Sequence, residues 1–288
     1  YKELGKAVYT AQYAPQTTIT ITGNSQTVVY NGKDQEVTGY EVAGLPEGYT
    51  VSGITHVASG KDSDSYTGVF TGMVKVADNS GADVTEQFKV VSMTPGTLTI
   101  TKRVVTLTSA DDEKVYDGTA LTNNTVTVGG EGFAEGEGAT YDVTGTQTEK
   151  GSSANAFTYT LNEGTKAANY EITTVEGTLT VTVKTDKVTV TITEHSGSEK
   201  YDGTEKTVTG YDVSIDNKLY TEDDFTFSGN DTVKGTDAGT YAMELKASDF
   251  TNISKNFSNV EFVIVDGTLE ISKRVVTLTS ADAEKVYD

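Results

Sequence analysis

Apolar and hydroxyl-bearing residues alternate along much of this chain. In Val188 to Thr193 (VTVTIT), Val188, Val190 and Ile192 are interleaved with three threonines, and Thr18 to Thr22 (TITIT) and Val105 to Thr108 (VTLT) read alike. A period of two puts one set of side chains on a buried face and the other toward water, which predicts half-buried strands. Threonine beside β-branched residues suits such a pleated surface. Gly96 to Ile100 (GTLTI), Gly177 to Val181 (GTLTV) and Gly267 to Ile271 (GTLEI) predict a second set of strands. Helical periodicity is scarce. Thr221 to Phe225 (TEDDF) predicts a single turn with Thr221 and Asp224 as a capping box, while Glu131 to Ala139 (EGFAEGEGA) is too glycine-rich for more than a turn; Leu45 to Tyr49 (LPEGY) holds a similar place.

The pattern is periodic on a larger scale. KRVVTLTSADDEKVYD at Lys102 to Asp117 returns at Lys273 to Asp288 with Asp112 replaced by Ala283, an offset of 171 residues. Tyr-Asp-Gly-Thr at Tyr116 recurs at Tyr201, is varied as Tyr-Asn-Gly-Lys at Tyr30, and begins again at Tyr287, at spacings of 86, 85 and 86 residues. An internal repeat decides the architecture before residue chemistry does. The landmarks divide the chain into the end of a preceding domain (1–16), three β repeats (17–101, 102–183 and 184–272) and the truncated start of a fourth (273–288). Within 1–16, Ala7 to Tyr13 alternates like a final strand. Each repeat is long enough for one modest core. Only Thr99 to Arg103 separates one closing motif from the next opening strand, without Pro or Gly, which predicts a semi-rigid array whose repeats touch mainly their neighbours. The junction Thr180 to Lys187 is longer and more polar. The copy at Lys273 to Asp288 lacks the strands needed to bury Val276 and Leu278, and is expected to continue the last strand of the third repeat or to pair with a neighbour, without forming a domain.

Asn31-Gly32, Asp117-Gly118 and Asp202-Gly203 each follow a tyrosine and precede a short strand, which predicts tight hairpin turns with positive φ. Tyr30, Tyr116 and Tyr201 are expected to pack on the core or on a cross-strand neighbour. Their repetition beside glycine fits turn chemistry better than catalysis.

The 42 acidic and 22 basic side chains leave a net charge of −20. Nucleic acid is a poor partner, because phosphate binding needs Lys and Arg gathered on one face. The absence of cysteine removes disulfides, thiolate metal sites and cysteine nucleophiles. Apolar runs such as Phe262 to Val265 are too short to span a bilayer, so no membrane insertion is expected.

Candidate chemistry is sparse. His56 and His195 lie at non-equivalent places and read as surface loop or strand-end residues. Asp78, Ser80 and Asp83 have oxygens spaced as hard cations accept, but no bidentate glutamate follows as an EF-hand loop demands, so a polar turn is the preferred reading. Glu131, Glu135 and Glu137 lack the apolar pocket that a glycosidase acid requires and read as a solvated loop. Asn123, Asn230, Asn252 and Asn256 head Asn-X-Ser/Thr triplets and read as turn or strand-end residues. No catalytic, cofactor-binding or metal-ligating residue is assigned, and no cofactor is expected.

With the Tyr-Asp-Gly-Thr turns, turn-rich middles and Gly-Thr-Leu endings in order, residues Thr17 to Ser272 resemble the YDG-type and MBG-type repeats of large surface proteins, adhesins of Gram-positive and gut-associated bacteria. The first repeat departs from the pattern in Asn31. The resemblance implies a mainly β chain of three tandem small, β-grasp-like modules in an elongated array, and carries no catalytic residues. Stalk proteins of this kind can hold a Lys to Asn isopeptide bond; Lys102, Lys187 and Lys273 lie near strand starts, but the Gly-Thr-Leu strands lack asparagine. The function implied is a non-enzymatic stalk segment of an extracellular, cell-wall-anchored adhesin, spacing a distal binding domain from the cell. Its partners would be neighbouring repeats of the same chain. The rival is an adhesive module that itself binds host mucin, glycan or protein through exposed tyrosines, such as Tyr40, Tyr49 and Tyr66, or an open sheet edge.

Overall fold

The computed structural model describes Pro15–Tyr287, so the strand expected over Ala7 to Tyr13 lies outside the described residues. The alternating segments are strands, and their apolar sides face inward. Ile19 and Ile21, Val105 and Leu107, and Val188, Val190 and Ile192 are almost fully buried, as are Leu98 and Ile100, Leu179 and Val181, and Leu269 and Ile271. Each such side chain contributes roughly 1.5–3 kcal/mol by leaving water.

Two three-stranded sheets recur along the sequence. The opening strand is central in one: Thr17–Gly23 lies between antiparallel Tyr40–Ala43 and parallel Phe88–Thr94. Arg103–Ser109 and Val188–Glu194 are flanked in the same way, by Val126–Gly130 with Tyr170–Val175 and by Tyr211–Ile215 with Val260–Val265. The closing strand is central in the other. Thr97–Thr101 pairs parallel with Gln26–Val29 and antiparallel with Ser65–Thr67; Gly177–Thr182 and Thr268–Ser272 have equivalent partners.

At Gly96 and Gly267, which open two of the closing motifs, the loop after the opening strand comes too close for a side chain. A Cβ at Gly96 would stand 2.0 Å from the Asn24 carbonyl oxygen, and one at Gly267 would stand 2.4 Å from that of His195. Both glycine N–H groups are also spoken for by buried side chains: Gly96 donates to His56 Nε2 (3.0 Å) and Gly267 to Glu194 Oε2 (2.7 Å).

Packing divides the chain differently from the sequence repeat. One compact unit holds the described residues up to Ala110 with Asn124–Val143 and Ala156–Glu176; the other holds Asp111–Asn123, Thr144–Asn155 and the described residues from Gly177. The 102–183 repeat is shared between them. In the first unit Leu98 and Ile100 share a cluster with Val105, Leu107 and Tyr170; in the second Leu179 and Val181 share one with Val188, Val190 and Phe257. Only Lys102 separates Thr97–Thr101 from Arg103–Ser109, so one nearly continuous ribbon supplies both sides of the first cluster.

The Tyr-x-Gly turns are not hairpins. Gly32, Gly118 and Gly203 do have positive φ, at 79°, 78° and 85°. Gln26–Val29 before the first turn nevertheless pairs with Thr97–Thr101, whereas Gln35–Thr38 after it pairs with Thr50–Gly60. The glycines adopt the expected conformation, but the turn joins two sheets because the flanking strands find distant partners. Among the described residues there is no α-helix. The expected turn at Thr221 is a 3-10 segment, Glu222–Asp224, with the Asp224 carboxylate accepting the Thr221 N–H at 2.9 Å. Lys273 to Tyr287 forms no strand; Val276 and Leu278 are 72% and 93% exposed.

Candidate functional site

Each Tyr-x-Gly turn builds a seat. The tyrosine N–H donates to the end of the closing strand, Tyr30 to Thr101 O, Tyr116 to Thr182 O and Tyr201 to Ser272 O. The next side chain fixes the turn: Asn31 Oδ1 accepts the Lys33 N–H, and Asp117 and Asp202 each accept both the N–H and the hydroxyl of the threonine two residues on. Lys114 and Lys206 complete the last two turns, and their ammonium groups are the main reason that both carboxyls are held well below the ordinary range.

The first seat is filled by residues of the 102–183 repeat within the first unit. Tyr30 meets Tyr170 edge to face at 5.6 Å, and Tyr170 meets Phe133 at 5.2 Å. Both phenols donate to Glu137, Tyr30 to Oε1 (2.5 Å) and Tyr170 to Oε2 (2.6 Å). Burial, then Glu137, pushes the Tyr30 phenol up to about 12, and Tyr170 is raised for the same two reasons. Beside the rings, Asn169 Oδ1 accepts the Ser63 N–H (2.8 Å), and its Nδ2 donates to Asp62 (2.9 Å). Lys166 pairs with Asp62 and is the main cause of that carboxyl's lowered pKa. Arg103 closes the seat by donating to the carbonyls of Tyr30, Glu131 and Gly132.

The second seat repeats the plan within the second unit. Tyr116 meets Phe257 edge to face at 5.6 Å, and Phe257 meets Tyr220 at 5.4 Å. Asn256 Oδ1 accepts the Lys150 N–H (2.8 Å), and its Nδ2 donates to the Glu149 carboxylate. Asn256, read from sequence as an ordinary turn residue, is therefore the counterpart of Asn169. The glycine of each turn approaches what fills the seat: a Cβ at Gly32 would lie 3.2 Å from Ala134 Cβ, and one at Gly118 would lie 2.7 Å from Leu219 Cδ2.

The third turn differs. Tyr30 and Tyr116 are 2% and 9% exposed, as expected of core tyrosines, but Tyr201 is 38% exposed. That expectation fails for Tyr201 because no aromatic partner lies against it among the described residues.

His56 is a second correction. It is 1% exposed, not on the surface, with its ring 4.8 Å from Phe70. Gly23 and Gly68 make the room: a Cβ at either would fall 2.4 or 2.1 Å from Nε2. In the 184–272 repeat the residue aligned with Gly23 is Glu194, 3% exposed, whose two oxygens accept the N–H groups of Leu245 and Gly267 at 2.7 Å. A buried acceptor thus pins the same glycine by different side chains. His195 is half-buried, bonded to Thr209 O and to Asp212, the first of which is the main cause of its raised pKa.

The remaining candidates are engaged in the fold. Asp78 Oδ1 accepts from Ser80 N, Ser80 Oγ and Ala82 N, and Asp83 Oδ1 from Thr85 N and Oγ1, so these oxygens close loops. Among the described residues no cluster of three His, Cys, Asp or Glu is spaced to hold a metal ion. Glu131 accepts the Val104 N–H, and exposed Glu135 pairs with Lys33, which holds its carboxyl below the ordinary range, the opposite of a glycosidase acid. Lys102, Lys187 and Lys273 are all exposed, and Lys187 pairs with Glu261, so none of these three is a buried lysine poised to attack an asparagine. Tyr40, Tyr49 and Tyr66 are half-buried, with Tyr40 and Tyr66 bonded to backbone carbonyls and Tyr49 packed on Phe88. No helix among the described residues is long and apolar enough to cross a membrane.

Among curated protein sequences none matches the chain. The N-terminal eight Ig domains of Down Syndrome Cell Adhesion Molecule align with 89% of this chain and 40% of theirs at 11% identity and a TM-score of 0.17. An endo-fucoidan hydrolase of glycoside hydrolase family 107 aligns with 93% of this chain and 44% of its own at 13% identity and a TM-score of 0.18. The chain thus spans less than half the length of either, and scores this low carry no argument about the fold. The informative match is to a family: residues 188–273, from the opening strand Val188–Glu194 to just past the closing strand Thr268–Ser272, match the MBG domain, which supports an MBG-type repeat of surface adhesin proteins.

Proposed function

We propose that the chain is a non-enzymatic spacer of an extracellular, cell-wall-anchored adhesin, a stalk segment of three successive repeats that holds a distal binding domain away from the cell. One observation carries this reading: the ring pairs at the first two turns, Tyr30 with Tyr170 and Tyr116 with Phe257, are spent on joining one repeat to the next. The MBG match at 188–273 supports the adhesin context. Small-angle scattering on chains of two, three and four repeats tests it: the maximum dimension should grow by a constant increment, and a compact globule would sink the proposal. The rival is direct recognition of host mucin, glycan or protein by exposed tyrosines or an open sheet edge; the first of these means is disfavoured by the engagement of Tyr40, Tyr49 and Tyr66 in packing. A saturable signal on a glycan array would restore it.

A further inference from the structure

The third turn has the fittings of the first seat without its occupant. Arg274 follows Thr268–Ser272 by two residues, as Arg103 follows Thr97–Thr101. Tyr241 covers Gly235, where a Cβ would lie 2.4 Å from the ring, and donates to Asp237 O at 3.0 Å; Tyr66 covers Gly60 and donates to Asp62 O in the same way. The second seat has neither device: Lys184 stands in the arginine's place and pairs with Asp186. Around Tyr201 an open depression of about 430 Å³ is lined by Tyr201, Asp237, Ala238, Lys273, Arg274 and Val276. Nothing lies within 4 Å of where a Gly203 Cβ would be.

We propose that this surface is a selective receptor for a repeat of the 102–183 kind. The partner presents an asparagine next to a tyrosine, as at Asn169-Tyr170, a glycine loop whose carbonyls accept from an arginine, as at Glu131-Gly132, and a carboxylate, as at Glu137. Its tyrosine packs edge-on against Tyr201, and its carboxylate accepts the Tyr201 hydroxyl. Its asparagine bridges the Ala238 N–H and the Asp237 carboxylate, the counterparts of Ser63 N and Asp62. Arg274 donates to the loop carbonyls. A repeat of the 184–272 kind fits poorly: it offers Phe257, without a hydroxyl, and a Leu219-Tyr220 loop in place of the glycine loop. This deepens the spacer reading and rests on it only for the expectation that repeats follow one another. A filled seat in a compact particle would overturn the spacer alone, and an empty seat in an elongated one would overturn the receptor alone.

The test is nitration of Tyr201 by tetranitromethane, mapped by mass spectrometry with Tyr30 and Tyr116 of the same chain as buried standards. Three chains are compared: the present one, one completed after Asp288 with the sequence of residues 118–183, and one carrying residues 189–272 after Arg274. Tyr201 should react readily in the first and third, and about tenfold or more slowly in the second, since a docked ring reacts only through opening of the interface. Arg274→Ala in the completed chain should restore part of the reactivity. Fast nitration in the completed chain, whatever the state of the added residues, overturns the proposal. So does equal protection in both extended chains, which removes the selectivity, or protection of the unextended chain that grows with its concentration, which makes a second copy the occupant.

Discussion

Tyr116 meets Phe257 edge to face at the same 5.6 Å centroid separation at which Tyr30 meets Tyr170, although the hydroxyl of Tyr170 has no counterpart in Phe257. The ring contact is therefore the constant of the seat, and the carboxylate that ties two phenols together is an addition made only at the first.

Truncating the constant part should be costly where the seat is filled and cheap where it is open. Phe257→Ala is expected to lower stability by about 3–5 kcal/mol, as for other buried rings, and Tyr30→Ala by a similar amount. Tyr201→Ala should change it by less than about 0.5 kcal/mol in the same chain. Denaturant unfolding monitored by circular dichroism measures all three, and equal losses would contradict the assignment of seats.

The first seat should also weaken in alkali. The Tyr30 phenol is raised to about 12 by burial and by Glu137, so its contribution is complete below the ordinary tyrosine pKa of about 10 and disappears as pH rises toward 12. Tyr170 is raised likewise. Titration followed at the phenolate absorbance should reveal late-ionising tyrosines, and Glu137→Gln, which removes the negative charge, should bring Tyr30 down. An unchanged titration in that variant would remove Glu137 from the account.

Much of this was readable from the chain. Alternation gave Ile19 with Ile21, Val105 with Leu107, and Val190 with Ile192 as inward-facing sets, because a strand's period of two is a local property. The glycine φ values at 32, 118 and 203 were equally local. What alternation cannot give is the partner: nothing near Gln26–Val29 says that it pairs with Thr97–Thr101, so a turn between sheets reads like a hairpin. The burial of His56 is hidden for a related reason. Its pocket is the absence of side chains at Gly23 and Gly68, and a pair of glycines in strand contexts was the only trace of it. Asn169 and Asn256 were invisible as partners until the loops at Ser63 and Lys150 came beside them.

Glu194 offers a test of the buried pin. Both of its oxygens accept backbone N–H groups, so Glu194→Gln presents one N–H₂ group to a donor and leaves a buried N–H unpaired. A loss of about 1–3 kcal/mol is expected despite the matched shape. A melting temperature equal to that of the parent would mean that the site relaxes around the amide.

At the other pin, Gly23→Ala should be destabilising by about 1–3 kcal/mol, since the new Cβ would lie 2.4 Å from His56 Nε2. Gly81→Ala is the control for positive φ alone, because its Cβ would meet nothing within 4 Å. Differential scanning calorimetry of both variants separates crowding from backbone strain.

The parallel pairing of Val188–Glu194 with Val260–Val265 has a mechanical consequence. One strand opens the 184–272 repeat and the other nearly closes it, and the two run in the same direction. Tension applied to the ends of the repeat therefore slides the strands past one another along their length. The hydrogen bonds of the ladder then share the load at once, where an antiparallel pair pulled from its open end would release them singly. A repeat wired in this way resists a pull far better than its thermal stability alone would suggest.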